Sequence, residues 1–151
     1  MARPSYHWLR LRAVAHPTED VARVRDAVAT VAGTAGPDGA LFSEERLETH
    51  HGLGLVVVEA RLERAREVRA ALDRLLALPG ALDRLRATLE ARVDDDGILY
   101  LRVDKQAAAQ GELRLADQED AVQVRVKVEA HPATRAAALA VLGTVLESGR
   151  A

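Results

Sequence analysis

Three polar residues of different chemistry, Asp104, Lys105 and Gln106, break the run LYLRVDKQAAAQGEL between a strand-like segment and three alanines. A carboxylate, an ammonium and an amide in succession could do acid–base work, hold an anion, or tie up backbone groups at a chain reversal. Asp104 is a good N-cap for a short helix over 105–110, with Gly111 as its stop. Lys105 and Gln106 then fall in its first turn and are expected to point outward beside free N–H groups, an arrangement that suits a phosphate. A second candidate is the pair His50-His51. Neighbouring residues of an extended segment face opposite ways, so these imidazoles cannot clamp one ion without a kink. The chain has no nucleophile elbow, no phosphate-binding glycine loop and no His-x-x-x-His spacing, and it has no cysteine. No catalytic residue, metal ligand or cofactor site is expected.

The larger signal is a set of alternating positions. Tyr6 to Ala15 alternates as a strand, with His7, Leu9, Leu11 and Ala13 on one face and Trp8, Arg10, Arg12 and Val14 on the other. Gly54 to Leu62 points Val56, Val58, Ala60 and Leu62 inward, leaving Glu59 and Arg61 outward. The strand LYLRVD presents Tyr100, Arg102 and Asp104; the strand from Ala121 to Ala130 presents Gln123, Arg125 and Lys127. Six cations thus stand against two carboxylates, in a chain whose net charge is −2. Arginines neutralise phosphates, and bases stack on aromatic or guanidinium planes, so such a face suits single-stranded or irregular RNA. The expected contacts are Trp8, Arg10, Arg12, Arg61, Tyr100, Arg102, Lys105, Gln106, Arg125 and Lys127.

These positions require a sheet with one covered side. The helix read from HPTEDVARVRDAVATVAG has Thr18 as N-cap, Gly33 as stop, and Val21, Val24, Val28 and Val31 as its buried stripe. Glu63–Leu78 and Ala81–Arg92 form two amphipathic helices separated by Pro79-Gly80, and a last helix runs from about Thr134 to Leu146. TAGPDGA is a loop, DDDG an acidic turn, and short strands are expected around Arg46–His50 and Leu113–Leu115. Strands and helices mix without strict βαβ alternation. The expected fold is therefore α+β, a two-layer sandwich with a mostly antiparallel sheet and helices packed on one face. At 151 residues, 48% hydrophobic and 29% charged, the chain is expected to form one domain spanning 1–151. No apolar run approaches the ~20 residues that span a bilayer, and the start lacks a signal-peptide core, so a cytoplasmic protein without membrane partners is expected.

ILYLRVDKQAAAQGELRL followed by AVQVRVKVEAHP, with HPTEDVARVRDAV near the start and THHGLG in the middle, resembles an archaeal family of small RNA-binding proteins. The family is often described as predicted subunits or associates of the RNA-degrading exosome, with a fold like that of the large-subunit ribosomal protein that binds 5S RNA. The resemblance spans nearly the whole chain and marks Thr18, Glu19, Asp20, His50, His51, Gly52, Asp104, Lys105, Gln106 and Gly111. One departure is Leu53-Gly54, where the family would have Gly-Asn-Pro. The resemblance implies RNA as partner, exosome- or ribosome-related proteins as associates, and no catalytic role. The alternative from the residues is a protein-interaction or homodimerisation module, with Trp8 and Tyr100 as anchors.

Overall fold

The computed structural model describes residues 3–33, 41–48, 50, 52 and 54–151; His51, Leu53 and the loop expected over 34–40 lie outside these. The elements are β1 (Tyr6–Ala15), α1 (Val21–Ala32), β2 (Leu41–Glu48), β3 (Gly54–Leu62), α2 (Ala65–Leu76), α3 (Ala81–Arg92), β4 (Ile98–Val103), α4 (Lys105–Ala109), β5 (Val122–Val128) and α5 (Arg135–Ser148). The strands form an open antiparallel sheet in the order β2-β3-β1-β5-β4. The class is α+β, as the mixture of elements predicts. By its contacts the chain divides into two compact units, one of Met1–Leu9, Glu63–Leu101 and Arg125–Ala151, the other of Arg10–Leu62 and Arg102–Val124.

In the second unit, Val56, Val58, Ala60 and Leu62 of β3 are buried as expected, but Val57 on the opposite side is buried too, so the strand alternates only from Val58 onward. Its partner β2 pairs antiparallel with Leu41 opposite Arg61, Glu44 opposite Val58 and Glu48 opposite Gly54. Directly opposed residues share a sheet face, so Phe42, Glu44 and Arg46 lie on the face of Val56, Val58 and Ala60. Glu44 takes a two-pronged hydrogen bond from the Arg25 guanidinium of α1, which places that helix over the same face. Val24, Ala27, Val28 and Val31 of α1 supply the apolar stripe, and Val21 is only half-buried.

In the first unit, α2, α3 and α5 close over β4. Leu72, Leu76, Leu85, Leu99, Leu101 and Leu142 belong to one apolar cluster that leaves a void of about 10 Å³. That is barely room for one water, so this is packed core and not a ligand cavity. Tyr6 is buried here, and burial pushes its hydroxyl pKa up to about 12.

Local expectations are corrected in five places. Asp20, not Thr18, is the N-cap of α1; its side chain accepts from the Ala22 N–H at 2.9 Å, so the helix starts two residues later. His7 is exposed and Tyr6 buried, because the alternation of β1 slips between Tyr6 and Leu9. The strand expected at Arg46–His50 is β2, displaced to Leu41–Glu48. The strand at Leu113–Leu115 reduces to a bridge from Leu115 to Val103. The last helix continues to Ser148, where Gly149 at φ 74° ends it.

Candidate nucleic-acid interface

The strand positions turned away from the buried faces carry the charge that the alternation predicts. In the second unit Arg10 and Arg12 are exposed between buried Leu9, Leu11 and Ala13. Arg61 is half-buried opposite Leu41, and Arg102 is half-buried beside Leu101 and Val103. Arg102 donates to the Asp117 carbonyl at 2.8 Å, which fixes its stem while leaving other guanidinium N–H groups to donate. Asp104, counted among the carboxylates of this face, is fully engaged: Oδ1 accepts from the Ala107 N–H at 2.8 Å and Oδ2 from the Gln118 amide at 3.3 Å. The cap expected of Asp104 is thus present, and Gly111 ends the segment at φ 86°.

The same face has a feature that sequence reading missed. Register with β3 puts Leu41, Ser43, Glu45 and Leu47 of β2 beside Arg61 and Glu59, and Leu41 is 63% exposed. An apolar and acidic border therefore flanks the arginines of β1 and β3.

In the first unit, Tyr100 is 36% exposed, and the Arg125 guanidinium carbon stands 5.4 Å from its ring centroid. That is a cation–π arrangement. The Tyr100 hydroxyl donates to Asp94 Oδ2 at 3.0 Å, holding the ring in one orientation. Burial raises the Tyr100 pKa, and the bond to Asp94 raises it further. Burial also pushes the Asp94 carboxyl up, but the Ile98 N–H, the Tyr100 hydroxyl, the Asp96 N–H and the Lys127 charge together hold it below its ordinary value. Lys127 and Trp8 are half-buried on this unit's strands.

Lys105 overturns one expectation. Its side chain does not point outward: it is 2% exposed, and its ammonium donates to the Val14 carbonyl at 3.0 Å, Glu19 Oε1 at 2.7 Å and Asp120 Oδ1 at 2.8 Å. An ammonium has three N–H groups, and here each has an acceptor. The reason is the small run Ala107–Ala109, which lets α4 pack against α1 and draws its first residue under the end of β1. Burial pushes the Asp120 carboxyl up, but the hydrogen bond from Lys105, its charge, and His16 at 3.3 Å outweigh this and hold it low. His16, Glu19 and Asp120 have ligand atoms within 4.8 Å of one another. The Lys105 ammonium already bridges the two carboxylates, so the cluster is an internal ion-pair network. Gln106 is exposed, as expected.

Of the other marked residues, Thr18, Glu19 and Asp20 come together with Lys105 and Gln106 around one cavity. His50 is exposed in a turn, and Gly52 has φ 71°, a value that favours glycine. Neither stands beside those residues in the lining of that cavity. No helix among the described residues is long and apolar enough to cross a membrane.

Comparison with known proteins bears on what these strands could contact. A family model described as "RNA binding" matches residues 8–128, a span that runs from within β1 to the end of β5. The RNA-binding protein PAB1135 of Pyrococcus abyssi is 33% identical over 144 residues, covering 93% of this chain and 94% of its own. Among solved structures, Mth689 of Methanothermobacter thermautotrophicus, a DUF54 protein, superposes with a TM-score of 0.76 at 31% identity, covering 94% of this chain and 98% of its own. AF2318 of Archaeglobus fulgidus, of the same DUF54 family, gives 0.78 at 27% identity over 93% and 99%. The likeness therefore runs through both compact units, and the chain belongs to the RNA-binding family that these archaeal proteins share.

Proposed function

We propose that this chain binds RNA through the strand positions left uncovered by its helices, and that it does so without catalysis, as an accessory of RNA processing or degradation in the cytoplasm. The observation that carries the reading is the sign of those positions: Arg10, Arg12, Arg61 and Arg102 in one unit, and Arg125 and Lys127 beside an oriented tyrosine ring in the other. Arginine pairs with phosphate and stacks on bases, so this set needs no sequence-specific contact to hold a single strand. Lys105 is not among the contacts; its part is to hold the strand ends that carry them. The family's description and the relative named for RNA binding support the same reading. Association with the exosome or with ribosome-related proteins belongs to this proposal through the sequence resemblance.

Charge reversal tests it. Arg10→Glu, Arg12→Glu and Arg125→Glu together are expected to abolish binding of labelled single-stranded RNA while leaving the unfolding transition in place. Unchanged affinity in the triple variant would remove the strand face from the account.

A second reading, a self-association module, is favoured by the exposed leucines of edge strand β2, Leu41 at 63% and Leu47 at 39%. The first reading predicts that Leu41→Glu with Leu47→Glu leaves RNA affinity within about twofold. A dimer in sedimentation that this pair dissolves would instead support the second.

A further inference from the structure

We propose that the cavity between the start of α1 and the start of α4 receives one unpaired guanine of a bound RNA strand. The inference rests on the RNA-binding reading and deepens it. The cavity measures about 220 Å³ and lies wholly within the unit of Arg10–Leu62 and Arg102–Val124. It is smaller than the ~300–1,000 Å³ clefts that hold drug-sized ligands, and suits a single planar group. Val24 and Ala109 give it apolar lining, Thr18, Asp20, Arg23 and Gln106 give it polar lining, and the Glu19–Lys105 ion pair completes it.

Three of those polar side chains have work left to do. Thr18, Arg23 and Gln106 make no side-chain hydrogen bond among the described residues, although the Lys105 network beside them is saturated. Asp20 uses only Oδ1, as the cap of α1, and its second oxygen remains an open acceptor. The cavity thus sets a carboxylate oxygen against a guanidinium and an amide. Guanine carries the complementary set, N–H donors at N1 and N2 and acceptors at O6 and N7, and Arg to O6 and N7 is its commonest specific partner. Only guanine offers a carboxylate two adjacent N–H donors together with two adjacent acceptors for a guanidinium; uracil has one ring N–H, and adenine and cytosine have one amino group each, so they satisfy only part of the set. Single-stranded RNA is commonly read in this way, by splayed bases held on their edges.

Continuity along the chain supplies the route. Arg12 lies two residues before Val14, whose carbonyl anchors Lys105, and Arg102 lies four residues before Gln106. The strands that offer phosphate contacts therefore run directly into the walls of the cavity.

The test uses the full chain and fluorescence anisotropy with a labelled all-uridine strand, alone or with one central residue changed to G, A or C. One G is expected to tighten binding by at least about fivefold, the low end of what a good bidentate contact gives; A and C should give less. Asp20→Asn, which keeps a capping oxygen, should erase the G preference while leaving all-uridine affinity and melting temperature unchanged, and Gln106→Ala, at an exposed position, should erase it with melting temperature unchanged. If the all-uridine strand binds and G adds nothing, or if the preference survives both variants, the pocket is overturned and RNA binding stands. Failure of every strand to bind at low salt overturns both.

Discussion

Truncating Lys105 to alanine removes three charge-assisted hydrogen bonds and leaves two carboxylates facing each other. Breaking a buried ion pair from one side costs about 3–5 kcal/mol. Glu19 and Asp120 are partly exposed here, 22% and 53% at the side chain, so water recovers some of that loss, and urea denaturation should show about 2–4 kcal/mol. The same network sets an acid limit. Asp120 is held below its ordinary value of 3.8, so its contribution is complete above the unfolded pKa of about 3.9 and is lost as pH falls through its lower folded value. Asp120→Asn is expected to flatten the fall in melting temperature below about pH 4; an unchanged acid limb would mean that the network contributes nothing. What the sequence reveals at this scale is what lies within a few residues. Asp104 caps at Ala107 and Gly111 stops the turn, both legible in DKQAAAQG. The burial of Lys105 was not legible, because it depends on Glu19, 86 residues away, and on the Val14 carbonyl, 91 away. The cavity that gathers Thr18, Asp20 and Gln106 was hidden for the same reason.

Elements were readable where one side is buried and obscure where neither is. The strand β5 and the helices α1 and α2 keep their periods because a core enforces them. The edge strand β2, LFSEERLE, is exposed at every position but Phe42, so no alternation marks it; its hydrogen bonds to β3 define it instead. That is why the acidic and apolar border of the basic face did not emerge from pattern alone. Turns between elements also carry constraint. Gly97 has φ 77°, and a Cβ there would come within 3.0 Å of the Ala138 side chain on α5. Gly97→Ala therefore combines backbone strain with overpacking and should lower stability by about 1–3 kcal/mol, seen as a fall in melting temperature. A neutral result would mean that the acidic turn before β4 relaxes freely.

At the scale of the molecule, charge is distributed more tellingly than it is summed. A net charge of −2 advertises no affinity for polyanions. Carboxylates are nevertheless gathered in turns, caps and ion pairs, as at Asp94, Asp104 and Asp120, while the outward positions of β1, β4 and β5 hold arginine, lysine and tyrosine. This partition was legible in the sequence because alternation fixes which side of a strand a residue occupies, whatever the distant contacts. Binding that rests on it is dominated by phosphate contacts and so by counterion release. The direct measurement is the affinity of the wild-type chain for a labelled single-stranded RNA across a series of salt concentrations. Three to six phosphate contacts predict that log affinity falls against log salt with a slope of about −2 to −4, at ~0.7 per contact. Binding that does not respond to salt, or no binding at low salt, would contradict the basic strand face as the RNA-binding surface.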